Sequence, residues 1–227
     1  MIWIEINKNF GDQSNFLLPF IVVLFLVFLL LLFYSYKRYG IKMTCMYFLP
    51  IIIIALFIES AGVAIGRYHY PGYFLYISIF GNGGAVPIII ILGWSVNFII
   101  FFNMGKHFVS RVYKKSNLVQ IFLISITAGI FAVFLDLLED PIAHNNRWWV
   151  WTGSIEGLKI FDVPILNFSV WFTLICYMSL ATMLIERSKY SKNRKLLISI
   201  TSISITGALI LITHGLILRL FQTIGVS

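Results

Sequence analysis

Six uninterrupted apolar runs limit what this chain can fold into. They lie at roughly 16–36, 45–65, 85–104, 118–138, 164–186 and 196–220. About 20 apolar residues cross a bilayer as a helix, and within lipid every backbone N–H and C=O must bond inside its own segment. Six such runs in 227 residues leave no length for a separate soluble domain. The expected fold is all-α: one polytopic helical bundle, a single transmembrane domain over 1–227, with interfacial segments in the connections between spans 2 and 3 and spans 4 and 5. Charge content agrees, since 11% of residues are charged against roughly 25% in soluble domains. No internal repeat and no low-complexity tail is evident in the letters of the sequence. The N-terminal MIWIEINKNFGDQSN carries acids and precedes an apolar run too long for a signal-peptide core.

A net charge of +8 first suggests nucleic acid, but the basic residues are placed for another purpose. The linkers YKRYGIKM, GKHFVSRVYKKS and ERSKYSKNRK hold three, four and five Lys and Arg, and all other segments together hold five. Short basic loops of this kind are retained in the cytoplasm. The reading is therefore a multi-pass protein of the cell membrane, with both termini on the non-cytoplasmic side and no nucleic-acid partner. Cys45 and Cys176 form no CxxC pair and read as small apolar residues.

The acids show the opposite bias. Glu5, Asp12, Glu59, Asp136, Glu139, Asp140, Glu156 and Asp162 fall on the non-cytoplasmic side or in that half of a span, and only Glu186 does not. Acids contribute little to orientation, so insertion does not account for the asymmetry. Glu59, in IIIIALFIESAGVAIGRYHYPGY, lies inside the end of span 2. An ionisable group there is costly and ordinarily faces a bundle interior or a water-filled cavity; the plainer alternative is a pairing with Arg67 or Arg219. Gly62 and Gly66 follow at helical spacing and leave a smooth groove, as in close helix packing.

The densest acid cluster is DLLEDPIAHNNRWWVW. Asp136 and Asp140 are four apart and share a helical face, whereas Glu139 points elsewhere. Two nearby carboxyls in a low dielectric do not both ionise readily, and the one that keeps its proton can act as a general acid. Pro141 then breaks the helix. Trp149 and Trp151 serve either as interfacial anchors or as an aromatic lining whose π faces stabilise a cation. In FDVPILNFSVW, Asn167 and Trp171 share a face, and Asn167 either orients a water molecule or bonds the backbone.

His69, His144 and His214 stand on the same side, yet no HxxH, HxxxH or HExxH pair exists, so no metal is assigned. No GxGxxG, GxSxG or phosphate loop is present, and FGNGGAVP reads as a turn into span 3. From the residues alone, the chain describes a water-poor cavity lined by carboxylic acids and aromatics. Protonating an alkene needs a desolvated acid and then protection of the cation, and a lipid-soluble polyene reaches such a cavity sideways from the bilayer.

A set of motifs carries a resemblance. In order they are Glu59-x-x-Gly62-x-x-x-Gly66-x-Tyr68-x-Tyr70, Val86-Pro87 with Trp94, Asp136-x-x-x-Asp140-Pro141, Trp149-x-Trp151, and Val163-Pro164-x-x-Asn167-Phe168-x-x-Trp171. Over roughly 59–171 the chain resembles the carotenoid-biosynthesis membrane family that includes bisanhydrobacterioruberin hydratase and related carotenoid 1,2-hydratases. Val163 departs from it, since the family commonly has glycine there. The resemblance implies addition of water to a terminal isopropylidene double bond of an acyclic carotenoid, with no cofactor. It implies Glu59, Asp136, Asp140 and Asn167 as catalytic residues, and Tyr68, Tyr70, Trp94, Trp149, Trp151, Phe168 and Trp171 as the substrate-binding surface. Partners would be the carotenoid, the bilayer and other enzymes of the pathway. The nearest rival is a cyclase of the lycopene-cyclase type, which shares the protonation step but captures the cation with a second double bond. Such cyclases resemble this chain in having acids beside a proline at a helix start, where VPILNF has none. A small transporter and a structural subunit of a pigment complex are the remaining alternatives; against the transporter stands the lack of an inverted repeat.

Overall fold

The computed structural model describes residues 3–6, 16–152 and 158–223. Asp12 and Glu156 lie outside the described residues. Each apolar run becomes a helix: α1 (Leu17–Tyr39), α2 (Ile41–Ala64), α3 (Ile88–Val112), α4 (Leu118–Asn145), α5 (Ile165–Arg187) and α6 (Lys192–Thr223). Among the described residues these are six helices long and apolar enough to cross a membrane, so the all-α polytopic bundle holds. The Asn117 side chain opens α4 by accepting the Gln120 N–H at 3.1 Å, satisfying one of the donors that a helix start leaves free.

Pro141 does not break α4, which continues to Asn145. Proline removes one N–H and crowds the carbonyl four residues back. Here Asp136, Asp140 and Ala143 are buried along one face of the helix, and the packing of that face holds the last turn in helical form. The consequence is that Asp136 and Asp140 share one continuous helical face.

The connections at the acid-bearing end contain short strands that hydropathy does not reveal. β1 (Trp3–Ile6) pairs antiparallel with β3 (Leu75–Ser78), which also pairs with β4 (Val86–Pro87). β2 (Tyr68–His69) pairs with β5 (Val150–Trp151), setting Tyr68 opposite Trp151 and joining the two long connections into one ribbon. β6 (Lys159–Ile160) folds back on β7 (Val163–Pro164) through Phe161 and Asp162, both at positive φ (51° and 64°). Two left-handed residues in a row match the twist of a tight hairpin.

Element boundaries also reveal a repeat that the letters conceal, which corrects the sequence reading. α2 begins at Ile41 and α4 at Leu118; α3 begins at Ile88 and α5 at Ile165; β4 begins at Val86 and β7 at Val163. Every pair is 77 positions apart, and so are the residues preceding α2 and α4, Gly40 and Asn117. Both α3 and α5 start from a proline in extended backbone, Pro87 at φ −61° and Pro164 at φ −60°. The chain thus contains two equivalent units, α2–α3 and α4–α5, each carrying a short hairpin before its second helix. In a membrane such units run in parallel, as α2 and α4 both start from a basic linker. The same spacing relates Glu59 to Asp136 and Trp94 to Trp171.

The core lies between the two units, where Phe98, Phe102, Ile124, Ala128, Leu174 and Ile175 are buried. Small residues bring the helices close: a methyl group on Gly105 would meet the Ile124 carbonyl at 2.8 Å. α1 stands apart, with only Leu17 and Ser35 buried.

Candidate functional site

A cavity of about 850 Å³ opens toward the acid-bearing end, walled by α2, α3, α5 and α6, with the end of α4, part of α1 and the β2–β5 ribbon. Two carboxyl stations face each other across it, one from each unit.

The first is Glu59, 6% exposed. Its Oε2 accepts hydrogen bonds from the Tyr70 hydroxyl at 2.5 Å and the Tyr68 hydroxyl at 2.9 Å, and its Oε1 accepts from the Trp94 indole N–H at 2.7 Å. The alternative pairing with Arg67 or Arg219 is not what is found. Burial, and then the charge of Glu59, push the Tyr68 and Tyr70 phenols well above their usual range, so both stay protonated as donors.

Local backbone explains how two tyrosines reach back to α2. Gly66, at φ 72°, ends the helix: its N–H bonds the Val63 carbonyl and the Arg67 N–H bonds the Gly62 carbonyl, both at 3.0 Å. This is a Schellman termination, for which a left-handed glycine is suited. The chain then doubles back over the last turn and seats Tyr68 against Gly62, where a methyl group would lie 2.3 Å from the phenol oxygen. The two glycines therefore do not form a shared helical groove. Gly66 turns the chain, and Gly62 makes room for the ring that follows.

The second station is the pair Asp136 and Asp140, 0% and 2% exposed. The Asn167 side-chain N–H donors reach Asp136 Oδ1 at 3.1 Å, Asp136 Oδ2 at 3.0 Å and Asp140 Oδ2 at 2.5 Å. The two carboxyls are also within hydrogen-bonding reach of one another, and the Trp149 indole is within reach of Asp140. Asp140 lines the cavity, whereas Asp136 is closed off behind it. Trp94, hydrogen-bonded to Glu59, lies against Trp171, one helical turn after Asn167, with ring centroids 4.3 Å apart. Tyr68 meets the edge of Trp151 at 5.0 Å, and Tyr70 meets Trp149 at 6.2 Å.

Most residues singled out from the sequence converge here: Glu59, Tyr68, Tyr70, Trp94, Asp140, Trp149, Trp151, Asn167 and Trp171 all line the cavity. Phe168 does not. One residue past Asn167 on a helix it is turned about 100° away, and it is buried elsewhere. Glu139, placed elsewhere by the sequence reading, also lines the cavity. Glu5 and Asp162 lie exposed in β1 and the β6–β7 turn. His69 is exposed on the ribbon, while His214 reaches the cavity at 8% exposure with neither ring nitrogen hydrogen-bonded. Among the described residues, no three of His, Cys, Asp and Glu are grouped to hold a metal ion. Glu186, at the opposite end, accepts from Tyr47 and pairs with Lys106 at 2.9 Å, which ties α2, α3 and α5 together.

Sequence reasoning missed one wall. Ser204, Gly207, Ala208 and Leu211 of α6 line the cavity beside His214, the one residue of this helix that the sequence had set on this side. Their signal is a row of mostly small residues at intervals of three and four, lost within a run read only as a span.

The sequence profile described as carotenoid biosynthesis protein matches residues 19–226. The chain belongs to the carotenoid biosynthesis protein family. No curated protein and no solved structure gave a match. The family match runs well beyond the 59–171 on which the resemblance was read, taking in most of α1 and all of α6. This member of the family is a multi-pass membrane protein with a role in carotenoid biosynthesis.

Proposed function

We propose that the protein is a carotenoid hydratase, adding water across the terminal isopropylidene double bond of a long acyclic carotenoid. The observation that carries this reading is the Asp136–Asp140 pair, bridged by Asn167 and set in the wall of an apolar, aromatic cavity. Two carboxyl groups in hydrogen-bond contact hold a proton between them, because two bare carboxylates offer no donor. Asp140 faces the cavity and delivers that proton to the less substituted alkene carbon. The π pair forms the new C–H bond, the Asp140 carboxylate is left behind, and a tertiary cation stands among Trp94, Trp171, Tyr70 and Trp149. A water molecule forms the C–O bond, and the resulting oxonium returns a proton to Asp140. The sum is substrate plus water, with no change of oxidation state overall.

In this mechanism Asn167 has a different task from orienting water. Its amide is committed to the two carboxyls, so it holds the acid pair in register. Asp136 keeps the shared proton directed at Asp140. The polyene tail extends between α2 and α6, past Phe57, Ala61, Gly207 and Leu211, and reaches the site from the bilayer. We place the acid-bearing end and both termini on the non-cytoplasmic side, supported by the twelve basic residues in the three linkers at the other end.

The test is expression in a bacterial host that makes lycopene or its elongated relatives, with mass spectrometry of the extracted pigment. The expected product is heavier by one water and is lost with Asp140→Asn while the protein remains in the membrane. An isobaric product with a shifted absorption spectrum would replace hydration with cyclisation. A hydrated product made equally well by Asp140→Asn and Asp136→Asn would refute the acid pair.

A further inference from the structure

The repeat puts Glu59 and Asp136 at the same position of two equivalent units, as it does Trp94 and Trp171, whose rings meet at a tilt of 33° at the junction of the units. The two carboxyls have been given opposite surroundings. Beside Asp136 stand Asp140 and Asn167; the positions equivalent to these in the first unit are Val63 and Ile90, which can neither share a proton nor bridge two acids. Glu59 instead receives three donors, from Tyr68, Tyr70 and Trp94. The indole can only donate, and both phenols are held in their protonated form. A carboxyl surrounded by donors is matched as an anion.

We infer that the two units have divided one chemistry between them: Asp140 of the second unit gives up the proton, and Glu59 of the first unit stays an anion and serves as the counter-charge of the cation formed against Trp94 and Trp171. The inference rests on the protonation chemistry proposed above, and it assigns roles that the sequence left open among three acids. The cavity wall supports it: Glu59, Asp140, Trp94 and Trp171 all line the same space, and Trp94, in contact with Trp171, is hydrogen-bonded to Glu59. Glu59 forms no bond to carbon and transfers no proton in the cycle. Its effect is electrostatic, favouring the cation over the neutral alkene in a cavity too apolar to screen it.

Binding of a stable cation mimic separates these roles. The probe is an acyclic polyene ending in a dimethylammonium group, with the neutral hydrocarbon of the same length as reference, each measured on purified full-length protein. Glu59→Gln is expected to weaken the ammonium probe by about tenfold or more, the scale of one lost charge partner in a poorly screened site, and to leave the neutral polyene unchanged. Glu59→Asp, which keeps the charge, restores most of that affinity. Asp140→Asn is expected to abolish turnover while holding the ammonium probe as well as the unaltered protein does. Retention of neutral-polyene binding certifies each variant as folded; if Glu59→Gln does not fold, Tyr70→Phe, which removes one donor from the same oxygen, takes its place with a smaller loss in the same direction. Ammonium affinity that is indifferent to Glu59, or that falls with Asp140→Asn instead, overturns the inference. The product's mass tests the hydration reading separately, since a cyclase would form a cation against the same charge.

Discussion

Gly62→Ala tests how Tyr68 is held against Glu59. The new methyl group would stand 2.3 Å from the Tyr68 oxygen and 2.6 and 2.8 Å from two ring carbons. The ring has little freedom to yield, because the Tyr68 backbone is paired with Trp151 and its faces and edges are set by Tyr70 at 5.6 Å and Trp151 at 5.0 Å. It must leave the site. That forfeits a hydrogen bond to a charged group, about 1.5–3 kcal/mol, and two aromatic contacts of about 0.5–1.5 kcal/mol each. Alanine in a helix returns about 1 kcal/mol relative to glycine. The expected balance is a loss of about 1.5 to 5 kcal/mol, read from denaturation in detergent micelles, together with reduced turnover. The decisive comparison is the double-mutant cycle. In a Tyr68→Ala background, where no ring opposes the methyl group, Gly62→Ala should cost nothing and show the gain alanine gives a helix. If Gly62→Ala is stabilising in the unaltered protein too, the ring does not occupy the place described and the reasoning fails.

Two other substitutions probe the remaining supports of the site. Asn167→Leu removes the bridge between the acids and is expected to cost about a hundredfold in turnover, near the lower end of what a positioned proton donor contributes; Asn167→Asp should be worse, since a third carboxyl competes for the shared proton, and rates of pigment conversion in membranes decide between them. Gly66→Ala is expected to cost about 1 kcal/mol for the left-handed backbone, whereas Gly66→Asn, which tolerates that conformation, should cost less; no atom lies within 4 Å of the new Cβ, so a steric explanation for any difference in unfolding midpoint is excluded.

The spans were legible because the bilayer imposes them. Length and apolarity suffice to name a crossing helix, and the six helices follow the six runs. The acid cluster was legible for a related reason, since carboxyls in lipid are too costly to be idle. What could not be read depends on contacts distant in sequence or on backbone geometry. Asn167 meets acids 31 and 27 residues before it, and nothing in VPILNF distinguishes that from a bond to its own helix. Gly66 reads as a packing residue until its positive φ is known. Pro141 reads as a terminator because the rule against proline in helices cannot anticipate the packing of the face that carries Asp136, Asp140 and Ala143. The repeat stayed hidden because the units share the spacing of their element starts but few residues, among them Val-Pro-Ile at the start of α3 and α5 and the tryptophan seven positions after the proline. Phe168, carried in by the resemblance, is one residue past Asn167 on a different face and does not line the cavity.

α1 buries only Leu17 and Ser35, yet its Phe20 and Leu24 complete the cavity wall, and Phe20 stacks on Trp148 at 4.5 Å. Its other face leaves Val22, Val23, Leu26, Leu29, Leu30 and Phe33 exposed, and in a membrane that face meets lipid. The acyl chains thereby become part of the doorway. On the reading proposed above, a polyene dissolved in the membrane enters without meeting water, and the ease of its admission depends on how ordered those chains are. Activity in a micelle and activity in an ordered bilayer then describe one catalyst behind two different doors.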